Sequence, residues 1–200
     1  MTNKKAIIFG GSGQDGSYMC KLLLEKKYKI ISVTRNLDKK LNHKKLKIKK
    51  GVLRKKINIY KKKEIEKLIN NSQCDSIYFF GGQPSPLESY KKPYKTIISN
   101  AIPVYYILET IKNSKKKIKF FNASSCEIFE SSKNIKNEKS KMKPSSPYGL
   151  SKLITFYLTK FYREQYKLRC FSSIAFQHES TLRNKNFLIP KIIDAAKKIS

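Results

Sequence analysis

The sequence predicts an α/β fold, a doubly wound parallel sheet held between helices in three layers. Three observations predict it. Short apolar runs alternate with amphipathic stretches along the whole chain, the pattern of strand–helix–strand units whose helices cover both faces of a parallel sheet. The first apolar run, residues 5–9, ends in four glycines within seven positions, "GGSGQDG". Directly after them the chain resumes as the helix-like "SYMCKLLLEKKY". A strand, a glycine-rich turn and a helix in that order open a Rossmann-type fold.

The elements follow in order. Residues 5–9 read as a buried strand, short, apolar and ended by glycine. Residues 14–26 suit a helix, with Tyr18, Cys20, Leu22, Leu23 and Leu24 as its apolar positions. "KIISVTR" is a second strand, "KEIEKLINN" a helix, and "DSIYFFGG" a strand that stops on paired glycines. Residues 93–112 carry a long helical pattern in which Pro103 predicts a kink or a late start. "KIKFFNASS" is a strand with small polar residues at its end. Residues 131–146 are polar and lysine-rich and read as a loop. Residues 148–166 form a strong helical pattern, "RCFSSIAF" is another strand, and residues 187–199 another helix. No repeat or composition break divides the chain, so residues 1–200 read as one dinucleotide-binding domain.

Composition narrows the functional classes. A hydrophobic content of 40% supports a true core. No apolar run approaches the ~18–20 residues of a membrane span, and the N-terminal run enters a glycine loop where a signal peptide would have a cleavage site. A cytoplasmic protein with no membrane partner is expected. Cys20, Cys74, Cys126 and Cys170 form no CxxC pair, and His43 and His178 are far apart in sequence, so no metal site is expected. The formal charge is +30, yet only five of the 44 basic residues are arginine. Such a surface attracts polyanions at low salt. Base-reading sites favour arginine and no nucleic-acid motif occurs, so the lysines read as a solvated surface with no specific nucleic-acid partner.

Glycines 10, 13 and 16, or 11, 13 and 16, meet the spacing that lets a backbone approach a pyrophosphate. The amino end of the following helix then offers unpaired amides and partial positive charge to the anion. Arg35 ends the second strand with no acid between positions 32 and 37. An arginine there can pair with an adenosine 2′-phosphate, so NADP is favoured and NAD stays open.

"SSPYGLSKL" places Tyr148 and Lys152 four residues apart, on one face of a helix. An ammonium beside a phenol favours the phenolate and lowers its pKa. A phenol tuned in this way can pass a proton to or from an alcohol oxygen. Ser125, at a strand end, can hydrogen-bond the same oxygen. Glu127, two positions on, shares its face if the strand continues that far.

These segments together resemble the extended short-chain dehydrogenase/reductases, and among them the GDP-mannose 4,6-dehydratase family. The segments that carry the likeness are "GGSGQDGSY", "DSIYFFGGQPSP", "FNASSCEIF", "SSPYGLSK" and "FQHES". The Gln-Asp pair of the glycine loop and the "HES" are the most family-specific. The resemblance implies catalytic roles for Ser125, Glu127, Tyr148 and Lys152. Tyr148 would take the proton of the sugar 4-hydroxyl while hydride leaves C4 for NADP. Glu127 would remove the C5 proton and help expel the C6 hydroxyl as water, and hydride would return to C6. It also implies cofactor contacts at Gly10, Gly11, Ser12, Gly13, Gln14, Asp15 and Gly16, at Arg35, and at Asn58 and Ile59. Further contacts fall on Phe80, Gly81, Gly82, Gln83 and Pro84, on Tyr94 and Lys152, and on His178 and Arg183. For His178 a satisfied core histidine is the competing reading.

The implied substrate is a sugar nucleotide, GDP-mannose by the family's pattern. The chain departs from that pattern at Asn36, Asn58, Pro84, Pro86, Gln177 and Pro190. Members of the family carry a C-terminal substrate lobe, which is expected to be missing here, with a sheet edge left uncovered. Three alternatives stay open: an epimerase, a reductase, or a non-catalytic dinucleotide-binding fragment. Homo-oligomerisation through the helices at 93–112 and 148–166 is left open as well.

Overall fold

The computed structural model describes residues 4–37, 41–48 and 50–199, so the lysine-dense stretch that begins at Lys39 lies partly outside the described residues. In chain order the elements are β1 (Lys5–Phe9), α1 (Gln14–Glu25), β2 (Lys29–Val33), α2 (Leu41–Lys45), β3 (Val52–Lys55), α3 (Lys62–Ser72) and β4 (Ser76–Phe79). They continue with α4 (Pro86–Lys91), α5 (Pro93–Lys112), β5 (Lys119–Ser125), a 3-10 turn (Cys126–Ile128), α6 (Pro147–Gln165), β6 (Cys170–Ala175) and α7 (Leu188–Ile199). The six strands form one parallel sheet in the order β3-β2-β1-β4-β5-β6. The winding reverses between β1 and β4, which opens a crevice at their carboxyl ends.

Alternation along the strands fills both faces. Ile7 and Phe9 of β1 join Ile77, Phe79 and Phe120 on one face, beneath Ile65, Leu68 and Ile69 of α3 and Val104, Ile107, Leu108 and Ile111 of α5. Ala6, Ile8 and Ile30 point to the opposite face, where Cys20 and Leu23 of α1 cover them. A strand buried on both faces reads as a continuous apolar run, which is why β1 is visible in the sequence. Each fully buried aliphatic side chain contributes ~1.5–3 kcal/mol.

Several elements differ from expectation. The short edge strand β3 and the helices α2 and α4 carry too few apolar residues to stand out. Leu53 of β3 is itself exposed. Pro86, one of the departures from the family pattern, opens α4, with Ser85 as the N-cap that accepts from the Glu88 amide at 3.3 Å. Proline suits the first helical turn, where its missing N–H would have had no partner. The late start at Pro103 does not occur, because α5 begins at Pro93 and is helical through a buried Pro103. β5 ends at Ser125, so Glu127 lies on the 3-10 turn and the strand-face argument for it fails. β6 forms one edge of the sheet and Phe171 on it is exposed. α7 buries none of its residues and exposes Leu188, Ile189, Ile192 and Ile193.

Candidate active site

Because all strands run parallel, everything that follows a strand's carboxyl end shares one edge of the sheet. The glycine loop after β1, Arg35 after β2, Asn58 and Ile59 after β3, Phe80–Pro84 after β4, Ser125 at the end of β5 and His178 after β6 all meet that condition.

The glycine loop is shaped by close approach. Gly10 has φ +77°, and a β-carbon there would lie 2.7 Å from the Phe80 carbonyl carbon. At Gly16 a β-carbon would collide with the Gly10 carbonyl, so α1 can lie this close to the turn only with glycine there. Gly13 differs from both. It is the N-cap of α1, and an added β-carbon would meet only the Gly10 oxygen, at 3.2 Å. Protein packing therefore does not demand glycine at 13, whereas a ligand laid on the helix end would. Ser12 Oγ and Gln14 Oε1 are buried polar atoms without a hydrogen-bond partner. Of the two, the Ser12 hydroxyl can donate to an anion at this helix amino end.

The loop is tied down from two sides. Gly11 O accepts from Ser17 Oγ at 3.2 Å and lies 2.7 Å from His43 Nε2, and Asn42 Nδ2 donates to Ser12 O at 2.9 Å. From the other side, His178 Nε2 lies 3.1 Å from Asp15 Oδ1, and its Nδ1 lies 2.7 Å from Phe176 O. His178 is half-exposed, so the core-histidine reading is wrong. The Phe176 carbonyl raises its pKa, burial opposes, and Asp15 raises it further.

The amino end of α6 carries the second half of the site. Ser146 caps the helix by accepting from the Gly149 amide at 3.0 Å, and Pro147 occupies its first turn. Tyr148 and Lys152 then follow one turn apart. Lys152 is 7% exposed, and its Nζ donates to Ala123 O on β5 at 2.8 Å. Burial pushes its pKa down to about 8, against a smaller opposing pull from Asp15. Burial also holds Tyr148 above the usual phenol range. The Ser125 hydroxyl opposes that shift, and the negative charges of Glu127 and Asp15 add to it. The expected lowering by Lys152 is therefore not found. Its ammonium sits 5.6 Å from the ring centroid, over the ring face, and is directed at a backbone carbonyl. The Asp15 charge acts on both Tyr148 and Lys152, so the amino ends of α1 and α6 lie near one another at the carboxyl edge of the sheet.

Some functional candidates were invisible in the sequence. Asn100 of α5, 1% exposed, accepts from the Gln83 amide at 2.8 Å and donates to Gln83 O at 3.2 Å and Ser151 Oγ at 2.8 Å. It joins the loop after β4 to α6. A buried asparagine within the apolar "IISNAIPVYY" was the available signal. Gln83 turns its side chain onto its own loop, where Nε2 donates to Ser85 O and Oε1 accepts from the Ser85 amide, each at 2.9 Å. Arg35 and Tyr94 are exposed, the latter on the first turn of α5. Asn58 Oδ1 accepts from the Tyr60 amide at 3.0 Å, while Ile59 lies against the core. Arg183 lies over the Phe187 ring at 3.9 Å and 3.5 Å from Glu179. Among the described residues no group of three or more His, Cys, Asp or Glu could hold a metal ion. No helix among them is long and apolar enough to cross a membrane.

The family model for GDP-mannose 4,6 dehydratase matches residues 7–200. The chain belongs to this family. It is 30% identical over 206 residues to the GDP-mannose 4,6-dehydratase of Vibrio cholerae serotype O1, covering 96% of this chain and 54% of that protein. It is 29% identical over 208 residues to GDP-mannose 4,6 dehydratase 1 of Arabidopsis thaliana, covering 98% and 58%. The chain thus spans a little over half the length of these relatives. Two solved structures share the fold. The UDP-glucuronic acid 4-epimerase of Bacillus cereus superimposes with a TM-score of 0.86 at 20% identity, covering 97% of this chain and 63% of that one. The dTDP-glucose 4,6-dehydratase of Bacillus anthracis superimposes with a TM-score of 0.82 at 21% identity, covering 98% and 62%. This member of the dehydratase family therefore has a Rossmann-type fold.

Proposed function

We propose that this chain is the dinucleotide-binding part of a sugar-nucleotide 4,6-dehydratase that acts on GDP-mannose with NADP. The observation that carries the reading is the Tyr148–Lys152 pair, one helical turn apart at the amino end of α6, on the same carboxyl edge of the sheet as the glycine loop and Ser125. Gly10 through Gly16 would hold the diphosphate on the amino end of α1, where the unpartnered Ser12 hydroxyl lies. Arg35 would meet the 2′-phosphate, Asn58 and Ile59 the adenine, and Phe80–Pro84, Tyr94, His178 and Arg183 the rest of the dinucleotide. Once bound, the nicotinamide supplies a reversible hydride acceptor.

The residues of this chain handle the protons and the orientation. Lys152 holds the nicotinamide ribose, and at a pKa of about 8 it stays mostly charged at neutral pH. Its charge favours loss of the Tyr148 proton once the phenol faces the 4-hydroxyl. Ser125 donates a hydrogen bond to the same sugar oxygen. Glu127, held against α6, takes the proton from C5, which the 4-ketone has acidified, and helps water leave from C6.

Incubation with NADP and GDP-mannose tests the reading, with a 4-keto-6-deoxy sugar nucleotide as the expected product. Glu127→Gln should abolish that product and preserve hydride exchange at C4. Hydride exchange with no elimination in the unaltered protein would instead assign an epimerase or reductase. A second reading is a dinucleotide-binding chain without turnover. NADP binding without any product would establish it.

A further inference from the structure

We propose that Asp15 is a positioning residue that latches the 176–183 segment across the glycine loop through His178. The proposal rests on the reading that this loop holds a dinucleotide diphosphate. Asp15 is otherwise out of place, because it lies in the first turn of α1, where a carboxylate competes with an anionic ligand for the helix end. The partner of Asp15 resolves the conflict. Both ring nitrogens of His178 face acceptors, Nδ1 the Phe176 carbonyl at 2.7 Å and Nε2 the Asp15 carboxylate at 3.1 Å. A neutral imidazole has one donor and one acceptor nitrogen, so only the imidazolium satisfies both contacts. The cation cancels the charge of Asp15 and leaves the helix end free for an anion.

A second tie strengthens the latch, with Tyr18 Oη of α1 3.5 Å from Thr181 Oγ1. Gln14 Nε2 also donates to Asp15 Oδ1 at 3.2 Å, which fixes the carboxylate's orientation. The charged groups that act on His178 are Asp15 from α1 and Arg183 from its own segment. Arg183 is partly balanced by Glu179 at 3.5 Å. The two motifs that are most family-specific in the sequence, the Gln-Asp of the loop and the "HES", are therefore two halves of one contact. As pH rises and His178 loses its proton, a lone pair faces the carboxylate, the segment loosens, and the uncompensated charge of Asp15 repels the diphosphate.

Proton NMR follows the His178 imidazole. The expected His178 midpoint lies above the ~6.5 of a free imidazole, and Asp15→Asn lowers it by about half to one pH unit. Fluorescence titration with NADPH from about pH 6 to about pH 9 should show affinity falling roughly tenfold through that midpoint. Asp15→Asn should flatten the dependence, and His178→Gln should bind weakly throughout. A midpoint unmoved by Asp15→Asn, or a pH dependence that survives it, overturns the latch. Absence of NADPH binding at every pH overturns the dinucleotide reading instead, and the imidazole midpoints then decide the latch by themselves.

Discussion

Gly149, on the first turn of α6, lies against the main-chain carbonyl of Glu127, and no β-carbon fits between them. The contact fixes the 3-10 turn against the helix one residue after Tyr148, and so sets where the carboxylate stands relative to the phenol. Gly149→Ala forces the two apart. The expected destabilisation is ~1–3 kcal/mol, the usual range for overpacking, measurable as a lower urea midpoint. Formation of 4-keto product should fall by more than this loss of folded protein explains. Unchanged turnover would show that the contact does not position Glu127.

Tyr148→Phe removes one hydroxyl and keeps the ring. The phenol is held above its usual pKa by burial, so the side chain is neutral at rest and the protein loses no charge. NADP affinity should stay within about twofold. Turnover should fall by ~10²–10⁴, the range for removing a general acid–base group. A single-turnover assay at saturating NADP checks this. Comparable losses of affinity and turnover would indicate that Tyr148 acts in binding.

Much of this arrangement was legible because each signal had a local cause. Two-sided burial makes β1 a continuous apolar run, and the collisions at positions 10 and 16 demand glycine. The capped start of α6 appears as the Ser-Pro before Tyr148. The rest depended on partners distant in sequence. Asn100 matters because of Gln83 and Ser151, 17 and 51 residues away. His43 matters because of Gly11, 32 residues away. The pKa expectation for Tyr148 failed because burial, the largest influence, raises it, while the Lys152 ammonium that helical spacing brings near the ring is directed at the Ala123 carbonyl on β5. The edge strand β3 was hidden by its charged Arg54 and Lys55 and by its length of four residues.

Asn100→Ala should loosen the loop after β4 from α6. The substitution leaves the Gln83 amide and the Ser151 hydroxyl without their buried partner, and an unsatisfied buried polar group costs ~1–3 kcal/mol. The expected result is a lower melting temperature together with faster amide exchange at Gln83. Weaker NADP binding should follow, since Phe80–Pro84 is proposed to line the site. Protection at Gln83 that matches the unaltered protein would show that the loop is held by other contacts.

Lys152→Met should separate stability from function. The ammonium is buried, and desolvation is the largest influence on its pKa, which drops to about 8. An unfolded chain would bind that proton up to the ordinary lysine value of ~10.4. Between these pH values the unfolded state holds more protons than the folded one, so the contribution of Lys152 to stability rises with pH across that window. Below about 8 the folded protein bears the full cost of the buried charge, offset in part by the hydrogen bond to Ala123 O. Methionine removes the charge and keeps the length. The variant should therefore be more stable by ~1–2 kcal/mol at neutral pH, scaled from 1.36 kcal/mol per pKa unit less one hydrogen bond. The advantage should shrink towards pH 10, and no 4-keto product should form at any pH. Urea unfolding of both proteins across that range checks the sign, and an advantage that grows with pH would mean that the Lys152 ammonium is not the desolvated group.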